Sequence, residues 1–189
     1  MLNINGLSHI NITVDNIEKG IEYYKNLFNA KPIQIFHRFK NDNFYKSAGF
    51  MENYKDALAS IAFLKIENIP LTLELMEYHN PKGDDNKNIK KKTNDIGNVG
   101  HISLKTSNID KDFDYIAKSG LVSMINSHKD YKPYTLGKIN PDQFKFFDKE
   151  LESSKSEKHK VCKYVSSIKY FYFIDKYGVQ WELEQGNDI

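Results

Sequence analysis

Two histidines and two glutamates occupy matching places in this sequence. The stretch "SHINITVDNIEKGIEYY" covers 8–24, and "GHISLKTSNIDKDFDYI" covers 100–116, ninety-two residues further on. They align without a gap, with His9/His101, Ile10/Ile102, Asn16/Asn108, Ile17/Ile109, Lys19/Lys111 and Tyr23/Tyr115 identical. Glu18/Asp110 and Glu22/Asp114 keep their charge. Each half also closes alike, "LTLEL" at 71–75 against "VQWEL" at 179–183, which sets Glu74 against Glu182. Imidazole nitrogens and carboxylate oxygens are donors for divalent cations, and a carboxylate can also move a proton.

The elements that must position these four residues follow from periodicity. Over 7–14 the residues alternate, with His9, Asn11 and Thr13 opposite Ile10, Ile12 and Val14, so the segment is a strand with one apolar face. Asp15 or Asn16 can cap a helix carrying Ile17, Ile21, Tyr24 and Phe28 at helical spacing. "NAKP" ends it. Strands are expected at 33–40, 57–66 and 71–78, with 41–56 an irregular connection. The pattern then restarts: a strand at 99–106, a helix at 109–118 ended by Gly120, and strands at 121–125, 167–174 and 179–185. "DKYG" before the last is a turn signal. Residues 128–165 are long and lysine-rich, with one short helix expected near 143–153. Part of this insertion is expected to cover the cleft mouth, since it exceeds the usual loop length.

The expected fold is therefore α+β, built of two tandem βαβββ modules. The modules span 1–80 and 99–189, joined by a polar linker at 81–98. His9, Glu74, His101 and Glu182 each lie opposite the apolar residues of their strand. If the modules pair about a pseudo-twofold axis, the four converge on one concavity. Two imidazoles and two carboxylates there would hold one divalent cation. Without a cation, carboxylates facing each other would be costly to bury.

Composition narrows the function classes. The chain has 189 residues, 40% hydrophobic and 28% charged, enough to build a core and remain soluble. The formal net charge of +2 gives no electrostatic case for nucleic acid. No apolar run reaches membrane-spanning length, and the N-terminus lacks the pattern of a signal peptide. The single cysteine, Cys162, excludes an internal disulfide and agrees with a cytoplasmic setting.

These residues resemble the vicinal oxygen chelate superfamily, which includes glyoxalase I, methylmalonyl-CoA epimerase, extradiol dioxygenases and the fosfomycin- and bleomycin-resistance proteins. "LSHINITVDNIEKGIEYYKNLF", "LTLELMEYHNP", "GHISLKTSNI" and "FIDKYGVQWELEQ" carry the resemblance. It implies two tandem βαβββ modules forming an open, mostly antiparallel barrel around a metal cleft, with His9, Glu74, His101 and Glu182 as ligands of one divalent metal ion (Zn, Ni, Co, Mn or Fe(II)). It also implies a small-molecule substrate bound through two adjacent oxygens, and modules paired within one chain or exchanged in a homodimer. The two-His, two-Glu set is similar to the glyoxalase and epimerase branch, a lyase or isomerase moving a proton beside a carbonyl, with Glu182 and Glu74 as acid and base. The alternatives are an Fe(II) ring-cleaving dioxygenase and a non-enzymatic resistance or binding protein. Lys176 stands where the family's closing turn usually has proline, which alters only the turn.

Other residues carry weaker signals. Glu184 shares the cleft face of its strand with Glu182 and can act as a second acid or base or as a substitute ligand. Glu77 lies opposite Glu74 and is structural. Arg38, the sole arginine, can clamp an anionic group or form a surface ion pair. "KNIKKK" at 87–92 reads as solvated loop. His79, His128, His159 and Cys162 lie in or beside loops and are expected to take no part in catalysis.

Overall fold

The structure is a computed structural model that describes residues 7–83 and 99–186. The chain divides into two compact units, Met1–Ile89 and Lys90–Ile189. The expected linker falls, over 84–98, outside the described residues, as does "KNIKKK".

In the first unit the order is β1 (Ile10–Thr13), α1 (Ile17–Phe28), β2 (Lys31–Phe39), α2 (Asp42–Ser47), β3 (Leu58–Lys65) and β4 (Thr72–Asn80). The strands form one open sheet in the order β1-β4-β3-β2. β1 runs parallel to β4, and the other two pairings are antiparallel. Helix α1 starts where Asn16 accepts from the Lys19 N–H and ends at Asn29, which takes the left-handed conformation at φ 52°. Its buried face carries Ile17, Gly20, Tyr23, Tyr24 and Leu27. Burying a side chain such as Leu27 contributes about 1.5–3 kcal/mol. Gly20 sets the spacing, since a Cβ there would lie 3.2 Å from Val14 Cγ1 and 3.4 Å from Leu75 Cδ1. The helix thus packs against Val14, just past β1, and against Leu75 of β4, the residue after Glu74.

The second unit repeats this plan with β5 (Ile102–Lys105), α3 (Ile109–Lys118), β6 (Ser123–Met124), β8 (Lys169–Ile174) and β9 (Gln180–Gln185). The sheet order is β5-β9-β8-β6, again with the first and last strands parallel. Between β6 and β8 lie β7 (Tyr134–Thr135), a 3-10 turn at Pro141–Gln143, α4 (Lys149–Ser153) and α5 (Lys155–Ser167). β7 pairs with β8. Asn108 caps α3 by accepting from Lys111 N–H, and Gly120 follows at φ 68°. No described helix is long and apolar enough to cross a membrane.

The α+β class and the two βαβββ strand orders match the sequence reading, and two local expectations are corrected. Residues 41–56 are not wholly irregular, because Asn41 caps α2 and Tyr45 is fully buried against Ala57, Ala59, Ile61 and Met76. Its hydroxyl donates to Phe39 O at 2.6 Å. The insertion holds α5 as well as α4. In α5 only Cys162 is buried, so the helix has no apolar stripe to announce it. Its polar Lys158 instead donates from Nζ to Glu152 at 2.7 Å and to Pro141 O at 3.2 Å.

Candidate metal and substrate site

Within each unit the structure brings one predicted histidine to one predicted glutamate. In the first, parallel pairing sets Asn11 beside Glu74 and antiparallel pairing sets Phe63 on its other side. His9 Nε2 lies 3.3 Å from Glu74 Oε2, and Asn11 Nδ2 donates to the same oxygen at 2.9 Å. Ser8 Oγ and His9 Nδ1 are 3.1 Å apart, which orients the ring with Nε2 forward. The His9 ring meets Phe63 edge to face at 6.1 Å.

The second unit reproduces the His–Glu pair, with Gly100 where the first has Ser8. Ser103 and Tyr172 flank Glu182 in the sheet. His101 Nε2 lies 3.5 Å from Glu182 Oε2, and Ser103 Oγ donates to Glu182 Oε1 at 3.0 Å. The His101 ring meets Tyr172 edge to face at 5.3 Å. The Tyr172 hydroxyl donates to Glu182; burial, with this bond and the carboxylate charge behind it, pushes the phenol well above its usual range. Tyr172 therefore stays a neutral donor. Glu74 and Glu182 are 9% and 8% exposed, so each carboxylate depends on the neighbours just named for its hydrogen bonds.

The chemistry of these pairs suits a cation. Two donors at about 2.0–2.2 Å from one tetrahedral ion are about 3.3–3.6 Å apart, and both Nε2–Oε2 separations fall in that range. Two donors alone do not make such a site, and among the described residues no three His, Cys, Asp or Glu groups stand ready to hold a metal. Each unit thus holds one His–Glu pair.

The repeat extends to residues that the sequence did not single out as partners. Glu77 Oε2 accepts from the Ile17 N–H at 2.8 Å, and Gln185 Oε1 accepts from the Ile109 N–H at 2.9 Å. Each lies three residues beyond its module's candidate glutamate and ties the helix N-terminus to the last strand. The equal offset from Glu74 and Glu182 was the available signal. Glu77 is structural, as its face predicted. His79 Nδ1 lies 3.4 Å from Glu77 Oε1, and its Nε2 is 2.8 Å from Ser60 Oγ. This Ser–His–Glu order is not a nucleophile's, because Ser60 is 2% exposed and accepts the Arg38 N–H at 3.1 Å. Arg38 itself takes φ 48° at a bulge of β2, with its side chain exposed.

Glu184 lies with Glu182 on an open cavity of about 260 Å³ in the second unit. His128 Nδ1 accepts from the Asp130 N–H at 3.2 Å in a loop, and the ring of His159 pairs with Lys155 O at 2.6 Å. Neither lines the cavity, and Cys162 is buried in α5.

Over residues 6–183 the chain matches the family model of the Glyoxalase/Bleomycin resistance protein/Dioxygenase superfamily. The chain belongs to this superfamily. Solved structures of the superfamily share its fold. A glyoxalase family protein from Bacillus cereus aligns over 99% of this chain and 97% of its own, at 11% identity and TM-score 0.64. A glyoxylase/bleomycin resistance protein/dioxygenase domain from Frankia sp. EAN1pec aligns over 98% and 100%, at 14% identity and TM-score 0.54. A mutant of the fosfomycin resistance protein FosX from Listeria monocytogenes, complexed with Mn(II) and 1S,2S-dihydroxypropylphosphonic acid, aligns over 96% and 92%, at 18% identity and TM-score 0.50. No curated protein matches the chain significantly.

Proposed function

We propose that this superfamily member is a metal-dependent lyase or isomerase of the glyoxalase or epimerase type, moving a proton beside a carbonyl in a small substrate with two adjacent oxygens. His9, Glu74, His101 and Glu182 are its metal ligands, two from each unit, completed within one chain or by exchange between two copies. The observation that carries the reading is the duplication of a spaced Nε2–Oε2 pair at the same sheet position in both units. A divalent ion held by this set supplies Lewis acidity to the substrate oxygens. The Mn(II) complex of FosX belongs to that protein, and its likeness to this chain is one of fold.

The two carboxylates differ in their neighbours, and this supports different roles. Glu182 is bonded to hydroxyls, Ser103 and Tyr172, whereas Glu74 is bonded to the Asn11 amide. A hydroxyl can accept one proton while giving up another; an amide under these conditions cannot. Glu182 therefore takes the substrate proton, with its hydroxyl partners holding the carboxylate in place and passing the proton on. Glu74 serves as the complementary acid. Ser8, at 3.1 Å from His9 Nδ1, would leave Nε2 as the nitrogen that holds the ion.

The test is a metal titration followed by the fluorescence of Trp181, the sole tryptophan, which adjoins Glu182 in sequence. One ion per four-residue set is expected, lost on His9→Ala and equally on His101→Ala. Two independently bound ions per chain, or none, would refute the shared set. Glu182→Gln is expected to lower turnover of a dicarbonyl or epimerisable substrate by on the order of 10²-fold while most metal affinity remains. Activity should persist with Zn²⁺ or Ni²⁺ without oxygen. Strict dependence on Fe(II), with O₂ consumed in step with product, would replace this reading by the ring-cleaving dioxygenase.

A further inference from the structure

The outer edge of β8 is paired in two pieces. β6 pairs Ser123 with Ile174 and Met124 with Phe173, and β7 pairs Tyr134 with Tyr170 and Thr135 with Lys169. Tyr172 falls between these two short pairings. Its N–H donates to the Tyr131 hydroxyl at 2.9 Å, so its peptide faces the edge and not β9. The same hydroxyl donates to Tyr172 O at 3.3 Å, which also accepts the Ile125 N–H at 3.3 Å. One phenol of the insertion thus takes the place that a neighbouring strand's peptide would fill. An edge-facing peptide makes Tyr172 and Glu182 a non-hydrogen-bonded pair, the arrangement that brings opposed side chains closest. The Tyr172 phenol donates to Glu182 across that pair.

Tyr131 is itself held from two sides. Its N–H donates to His128 O at 2.9 Å, which closes a turn over 128–131. Its ring lies 6.2 Å from that of Phe113 on α3, and Phe113 meets Phe171 edge to face at 5.1 Å. Phe171 precedes Tyr172 on β8 and points to the opposite face of the sheet. The Tyr131 ring therefore packs on the helix side, while the phenol of Tyr172 lies on the side of Glu182. The first unit is built otherwise. There Phe63 takes the place of Tyr172 beside Glu74, and the nine-residue β2 runs past it with Gln34 opposite. The hydroxyl on the carboxylate and the hydroxyl at the sheet edge thus occur in the same unit, on either side of one residue.

We propose that Tyr131 is a positioning residue for Glu182: its hydroxyl fixes the Tyr172 peptide, and through it the phenol that holds the carboxylate. The inference rests on the proposed function for the role of Glu182 as base. Displacing the 128–131 turn then slows turnover without touching the carboxylate, which makes this part of the insertion a control on the site.

The experiment labels tyrosine with ¹³C at Cζ in the full chain, the Tyr172 line being assigned by its loss in Tyr172→Phe. Tyr131→Phe keeps the ring against Phe113 and removes the hydroxyl alone. It is expected to move the Tyr172 line in the direction that Glu182→Gln moves it. Tyr134→Phe removes a hydroxyl that donates to Asp130 O in the same segment, and is expected to leave the line in place. Turnover of methylglyoxal with Zn²⁺ is measured in parallel. Tyr131→Phe should lower kcat about fivefold, the scale of one lost hydrogen bond, at nearly unchanged KM. In the Tyr172→Phe background the same substitution should lower it no further, because its path to Glu182 is already cut. An unmoved Tyr172 line in Tyr131→Phe, an equal shift in Tyr134→Phe, or the whole fivefold loss in the Tyr172→Phe background would each overturn the inference. A moved line with Glu182→Gln as active as the parent chain counts against Glu182 as the base, and not against the link from Tyr131 to Tyr172.

Discussion

Replacing Asp175 by alanine should unfold the hairpin that carries Glu182. Asp175 is 4% exposed and sits at the start of the "DKYG" turn between β8 and β9. Its Oδ1 accepts the N–H groups of Tyr177 at 2.9 Å and Val179 at 3.0 Å, and its Oδ2 accepts Trp181 Nε1 at 3.0 Å. Trp181 is fully buried, so losing the acceptor strands its indole N–H, at about 1–3 kcal/mol. The two turn N–H groups are only half-buried and can turn to water, so each loses about 1 kcal/mol. Asp175→Ala is therefore expected to cost about 3–5 kcal/mol, as breaking a buried hydrogen-bond network does. Asp175→Asn retains Oδ1 for the turn but points an amide N–H₂ at the indole, costing about 1–3 kcal/mol. The assay is urea unfolding of the second unit followed by Trp181 fluorescence. Because Trp181 precedes Glu182 on β9, the alanine variant should also bind Zn²⁺ more weakly. A loss below about 1 kcal/mol for Asp175→Ala, or equal losses for both variants, would refute the reasoning that the charged carboxylate organises this hairpin.

Two further outcomes follow from the same geometry. Glu77→Ala should destabilise the first unit by about 1–2 kcal/mol, by freeing the Ile17 N–H. Glu77→Gln should cost less than about 1 kcal/mol because Gln185 performs the same task in the second unit; far-UV circular dichroism during urea unfolding reads both. Tyr45, Tyr78, Tyr131 and Tyr172 all have their phenols raised above the ordinary 10.0, in each case chiefly by burial. Their folded pKa values exceed the unfolded ones, so this contribution is fully present below pH 10 and is lost as pH rises towards the folded values. Stability measured between pH 9 and 11 should fall only above about pH 10, and more gently in Tyr172→Phe than in the parent chain.

The duplicated plan was legible because it is written locally. Alternation around His9 and His101 and helical spacing from Ile17 and Ile109 state which residues share a face, and those periods survive whatever the units pack against. Helix α5 escaped notice because a helix that buries only Cys162 leaves no periodic trace. Helix α2 did so because its reason to exist, the pocket for Tyr45, is built from β3 and β4.

The sequence by itself determined two βαβββ units, the faces of their strands, and a histidine and a glutamate in each. Only the tertiary structure decided what those glutamates touch. Parallel pairing of the first strand with the last joins residues 63 apart in the first unit and 79 apart in the second, and no local period encodes that register. Parallel and antiparallel pairing together gave Glu74 an amide and a phenyl neighbour, and Glu182 two hydroxyls. The tertiary structure also brought Glu77 to the start of α1 and, through the β7–β8 pair, Leu136 of the insertion to the edge of β8. Hydrogen bonds between distant strands carry this information, because a carboxylate's partners depend on which strand is aligned beside it and at what offset.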